Sequence, residues 1–257
     1  VSATSDFKSM ADSLRESVRA TLRVGTIQDP ESIRLGPFVR GLATSQKNTE
    51  VFLRYGMSDD VLAQIGRCEL DVGYYVDAAP AESAVFTAPS ERTIEDGKFQ
   101  LMPLIRYDYH VIAPAEWSDK VMGKDWADLA GLPWLATPHH SAHRRLLDDV
   151  FRPMGTLPKR VAFTDQEDAM IDFVESGICL CLARDCILER AASKGKFVIA
   201  DKLTLTCELS FACLKARRHE PLITNAFAAM RAVWDLKPLN AMPAPVAPAG
   251  PQKRAMR

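Results

Sequence analysis

Apolar residues along the chain follow two rhythms. Short runs rich in branched and aromatic residues read as strands, and stretches with apolar residues three and four apart read as helices. The first 20 residues carry Phe7, Met10, Leu14 and Val18 at helical spacing. One such stripe cannot bury itself, so it needs a partner helix or the protein body. Strand and helix then alternate. Strands are predicted over 21–27 (TLRVGTI), 49–55 (TEVFLRY) and 70–76 (LDVGYYV), with helices over 32–45 and 58–66 between them. That order is the signature of a parallel sheet covered by helices. Residues 77–98, rich in Ala, Pro, Ser and Glu, read as a long surface loop.

From Phe99 the pattern restarts. Two near-contiguous strand-like runs, FQLMPLI and YDYHVIAP, flank Arg106. A second alternation follows: strands over 133–137, 159–163 and 178–183, and helices over 141–151, 166–175 and near 184–192. A long strand-like run, LTLTCELSFACL, leads to a last helix over 221–236, and the proline-rich tail 237–257 predicts disorder. Two βα halves joined by two extended crossings imply an α/β protein of two Rossmann-like lobes. Lobe I takes 21–105 plus 209–236, lobe II takes 106–208, and 1–20 precede both. Ligands of such sheets bind beyond the carboxyl ends of strands, where helix N-termini present free N–H groups.

Composition narrows the function. The chain has 257 residues, 32 Lys+Arg against 33 Asp+Glu, and a net charge of −1. That balance argues against an autonomous nucleic-acid binder. No run of about 18 apolar residues predicts a membrane span, and no apolar leader marks export. Six cysteines sit mostly in apolar stretches (ICLCLA, LTCELSFACL), which fits reduced, buried thiols in the cytoplasm. A glycine-rich phosphate loop, HExxH, CxxC and a serine nucleophile elbow are all missing, so neither catalysis nor a cofactor is expected.

At this point the residues resemble the effector-binding domain of LysR-type transcriptional regulators. The resemblance runs over about 22–234. LRVGTI opens the first strand. RYGMSDDVLAQIGRCELDVGYY is similar to the family's glycine-x-serine turn, helix and following strand. MPLIRYDYHVIAP is similar to the crossover, DLAGLPWLATPHHSAHRRLLDDVF to the pocket segment of the second lobe, FVESGICLCLA to a strand entry, and HEPLITNAFAAMRAVW to the returning helix. Cys179 stands where a glycine is usual, and the 77–98 loop is longer than usual. The resemblance implies a fold like the type II periplasmic binding proteins, with residues 1–20 as the end of a linker helix. It also implies a small-molecule effector, self-association to a dimer (a tetramer for the full-length protein), and DNA contact through an N-terminal winged helix-turn-helix that this sequence does not include. A transporter's solute-binding protein shares the architecture and stands as the alternative.

The candidate ligand residues are Thr26, Gln28, Ser32, Met57, Ser58, Tyr74, His139, His140, Ser141, Thr164 and Asp165. Most lie where a strand gives way to a helix. Ser32, Ser58, Ser141 and the Thr164-Asp165 pair are equally natural helix caps, and a hydroxyl there can serve both roles. Helix N-termini, hydroxyls and the His139-His140 pair together favour a carboxylate or other small anion, and the same physics fits an amino acid or a sulfate-like ion. His139 and His143 are four apart, but zinc needs three or four ligands and no matching partner spacing exists, so no metal site is expected. Arg106 suits a carboxylate or an ion pair, the latter favoured. Cys179 and Cys181 share one face of a buried strand, where thiols are inert.

Overall fold

The computed structural model describes residues 20–27, 31–46, 48–79, 91–185, 188 and 196–236. The predicted linker helix, Gln28, Asp29, Cys186, most of the 184–192 helix and the tail lie outside the described residues.

In the first lobe β1 (Ala20–Thr26) pairs in parallel with β2 (Thr49–Tyr55) and β3 (Val72–Ala78). Helices α1 (Leu35–Ser45) and α2 (Ser58–Gly66) connect them. The close seat of α2 depends on two glycines. Gly25 and Gly73 are register partners, and a Cβ on either would lie 2.5 and 2.4 Å from a Val61 methyl. The helix therefore drops onto bare backbone, and its N-terminus ends up at the carboxyl ends of β1 and β3. Residues 77–98 are not all loop: β4 (Arg92–Ile94) forms a hairpin with the start of β5 (Phe99–Pro114).

The two strand-like runs around Arg106 form one continuous strand, β5, 16 residues long. In the second lobe come α3 (Ser118–Val121), α4 (Trp126–Leu129), β6 (Pro133–Ala136), α5 (Ala142–Phe151), β7 (Lys159–Phe163), α6 (Glu167–Glu175) and β8 (Cys181–Arg184). The chain returns through β9 (Phe197–Leu214) and ends in α7 (Pro221–Val233). Strand β9 lies antiparallel to β5 along both lobes, from Phe99 opposite Leu214 to Pro114 opposite Phe197.

The same order appears twice. In the first lobe it is β2-β1-β3-β9-β5-β4. In the second, β7 pairs with β6, Trp134 of β6 bridges Leu180 just before β8, and β8 pairs with β5, itself paired with β9. Two lobes with one winding, sharing two crossing strands, are the type II periplasmic-binding-protein-like arrangement. Each has its own aromatic centre. Phe38, Tyr74, Phe211 and Phe227 pack edge-on or tilted at 5.2–5.4 Å in the first, and Trp134 meets Phe151 at 5.7 Å in the second. On the crossing strands Arg106 bonds Glu208, Nε to Oε2 3.2 Å, and Arg92 reaches the same carboxylate at 3.0 Å. Arg106 therefore serves as an ion pair.

Candidate functional site

Where the two lobes face each other, a small cavity of about 60 Å³ opens to solvent. Its first-lobe wall comes from Ile27, from Tyr55, Gly56, Met57 and Ser58 leading into α2, and from Val76. Its second-lobe wall comes from Thr137, Pro138, Ser141, Ala142 and His143 at the start of α5, and from Asp165, Glu167 and Met170 at the start of α6. Tyr107 and Tyr109 of β5 and Arg184 of β8 complete it. Three helices from two lobes thus begin at one cavity.

The lobes also touch beside it. The Asp59 N–H donates to the His140 carbonyl at 3.2 Å. Arg145 of α5 reaches across to the Asp59 carboxylate and the Val76 carbonyl, and its Nε lies 3.4 Å from Asp77 Oδ1.

The hydroxyls are already engaged. Ser141 caps α5: its Oγ accepts the Arg144 N–H at 3.1 Å and donates to Thr137 Oγ1 at 2.7 Å. Ser58 is not a cap. Met57 holds that position without a side-chain bond, and Ser58 Oγ accepts the Val76 N–H at 2.6 Å, tying α2 to β3. Two aromatic groups deepen the second-lobe wall. The His143 ring packs edge-on against Tyr109 at 4.6 Å, and burial pushes its pKa down, so the imidazole is neutral. Burial likewise raises the Tyr107 and Tyr109 hydroxyls. Arg184 forms a two-armed pair with Glu167, Nη2 to Oε2 2.6 Å and Nε to Oε1 3.1 Å, with side chains 7% and 17% exposed. Burial alone would lower the Arg184 pKa, but Glu167 outweighs it and the guanidinium stays charged.

Of the candidates read from sequence, Met57, Ser58, Ser141 and Asp165 line the cavity. The other described candidates stand elsewhere, and Gln28 lies outside the described residues. Thr26 is buried, with its carbonyl accepting the Gly56 N–H at 3.0 Å. Ser32 lies in the turn before α1 and borders a neighbouring cavity with Arg34, Ile105 and Trp234. Tyr74 is turned into the first-lobe core against Phe211 and Met230. His139 and His140 face solvent at the rim, and His140 Nδ1 lies 3.9 Å from Asp60. Thr164 Oγ1 accepts the Gln166 N–H at 3.2 Å, a local turn. Sequence reading missed Tyr107, Tyr109, Thr137, His143, Glu167 and Arg184. Alternation of Tyr107 and Tyr109 on one face of a crossing strand was the available signal.

Four of the described cysteines are buried thiols. Cys179 and Cys181 share a cluster with Met170 and Val174, and burial pushes Cys179 up to about 11. Cys207 and Cys213 are pushed up to about 12, whereas Cys68 is exposed.

The family model described as LysR substrate binding domain matches residues 15–235. A search of curated proteins finds no match. Among solved structures the chain is similar to the effector binding domain of QuiR in complex with shikimate, at 13% identity and a TM-score of 0.62, covering 84% of this chain and 98% of that one. It is similar to the CcmR regulatory domain of Synechocystis in complex with 2-PG, at 14% identity and 0.62, covering 84% and 97%. It is also similar to the MetR regulatory domain from N. meningitidis, at 15% identity and 0.60, covering 83% and 93%. At these identities the likeness speaks to the fold.

Proposed function

The chain belongs to the LysR substrate binding domain family, and from that premise we propose that it senses a small metabolite bearing a carboxylate or similar anionic group. The interlobe cavity receives the metabolite, and its occupancy shifts the arrangement of subunits and so the DNA contacts of a transcriptional regulator. It acts in the cytoplasm as a dimer and as a sensor rather than an enzyme. Exposed Phe52 and Tyr55 on edge strand β2, and Val161 and Phe163 on edge strand β7, supply apolar surface for self-association.

One observation carries the reading: the starts of α2, α5 and α6 meet at a single cavity between lobes. The helix dipoles favour negative charge there. Met57, Ser58, Ser141 and Asp165 are the contacts we keep from the sequence reading, joined by Thr137, Tyr107 and Tyr109. A ligand that binds one lobe arrangement better than another shifts the population toward it.

A thermal-shift screen of carboxylates and amino acids tests the reading. A ligand at 100 times its Kd stabilises the domain by about 2.7 kcal/mol. Thr137→Val combined with Ser141→Ala should weaken that ligand by at least tenfold. Unchanged affinity in the double variant places the ligand elsewhere.

A further inference from the structure

Building on the effector reading above, we infer that Glu167 sets the charge of the effector: the cavity takes a singly charged anion and rejects phosphate esters and other multiply charged anions. Among the described lining residues Arg184 is the one guanidinium, and it stands against two carboxylates, Asp165 and Glu167. Glu167 occupies the Nε/Nη2 edge of the Arg184 guanidinium with both carboxylate oxygens, at 2.6 and 3.1 Å. A two-armed carboxylate is the geometry in which an anionic ligand would bind that side chain. The protein thus fills its own anion-binding fork. The neutral imidazole of His143 adds no cation.

The cavity keeps neutral or fractional donors: the Thr137 hydroxyl, the tyrosine hydroxyls and the helix-terminal N–H groups. These match a single carboxylate charge. A second charge brought into this half-buried space meets the Glu167 carboxylate, and like charges at low dielectric repel strongly. Placement at the first turn of α6 suits Glu167 itself, because the helix dipole favours its carboxylate there.

The probe is inorganic phosphate, titrated by calorimetry and by thermal unfolding against chloride of equal ionic strength. The proteins are wild type, Glu167→Gln, and Glu167→Gln with Arg184→Gln. The Gln side chain keeps the volume and one acceptor oxygen while removing the charge. Wild type should bind phosphate no tighter than acetate. Glu167→Gln should gain at least tenfold in phosphate affinity, and the double variant should lose that gain. Equal phosphate affinity in wild type and Glu167→Gln overturns the inference, as does a wild type that prefers phosphate to acetate. Glu167→Asn takes the place of the Gln variant if the latter does not fold. Failure of the effector reading would look different: a carboxylate screen that leaves wild type unstabilised, beside an intact phosphate gain in Glu167→Gln.

Discussion

Asp71, buried in the first lobe, and Glu167, partly buried in the second, are both carboxylates held by arginine, yet they do different work. Asp71 is 3% exposed and takes bonds from Arg23 Nε at 3.0 Å, Arg23 Nη2 at 2.8 Å, the Arg23 backbone N–H at 2.9 Å and Arg217 Nη1 at 2.9 Å. It thereby ties β1, the entry to β3 and the turn after β9 into one knot away from the interlobe cavity. Glu167 has a single arginine and faces that cavity. Two arginines on one carboxylate make a structural clamp. One arginine on one carboxylate, beside open space, makes a neutralised binding fork. Both are carboxylates held by arginine, so the number of partners and the position relative to the cavity decide the role.

The sharpest way to break this contrast is to remove each carboxylate. Asp71→Ala leaves two arginines without their shared partner. Because both are partly solvated, the loss should fall at the lower end of ~3–5 kcal/mol in urea unfolding. Carboxylate and phosphate responses should stay unchanged in the folded fraction. Burial would raise the Asp71 carboxyl, but bonds from Arg23 and Arg217 outweigh it and hold it below 3.8. Its contribution is therefore present above that value and fades as pH falls through the depressed one. The acid limb of wild type below about pH 4 should flatten in Asp71→Ala. Glu167→Gln should cost less, about 1–3 kcal/mol, because the amide still accepts from Arg184. Its main effect belongs to ligand charge. A large stability loss with no change in anion preference would make Glu167 a second Asp71.

Arg145 sharpens the contrast from another side, since it joins the lobes rather than elements within one. Arg145→Met should cost about 1 kcal/mol of stability. Amide exchange at the starts of α2 and α5 should rise by more than global unfolding explains. Exchange confined to other segments would remove Arg145 as the bridge.

How much of this was readable beforehand depends on the range of the forces involved. Strand β2, helix α2 and strand β7 have the bounds their patterns predict, because local periodicity fixes them. Strand β4 was hidden because three residues in a polar segment become a strand only by pairing with β5. Strand β5 covers both runs read for it, whereas β9 begins at Phe197 rather than Leu203, because Phe197, Val198 and Ile199 become strand by pairing with Pro114, Ala113 and Ile112. That Ser58 and Ser141 line the cavity was legible because helix starts follow strand ends. Tyr74 was misplaced for a physical reason. Residues Val72 to Val76 are all buried, so alternation separates two faces without saying which one meets the cleft. Glu167 and Arg184 come together only through tertiary assembly, 17 residues apart and on different elements.

His143 offers the gentlest test of the same idea, a titratable group in the second-lobe wall whose charge the fold refuses. Burial depresses its pKa below 6.5, with Glu167 opposing and Arg184 reinforcing that shift. The unfolded chain therefore binds more protons than the folded one between the depressed value and 6.5. Stability should be unaffected by this group above pH 6.5, then decline as pH falls, with a slope of at most about 1.4 kcal/mol per unit. His143→Phe keeps a ring against Tyr109 and should remove that slope in chemical denaturation at pH 5 to 6.5. Removing Glu167 takes away the one carboxylate that favours the imidazolium, so Glu167→Gln should steepen the slope instead. If the two variants shift the profile in the same direction, His143 and Glu167 do not share an electrostatic environment, and the charge logic of the cavity has to be drawn without the histidine.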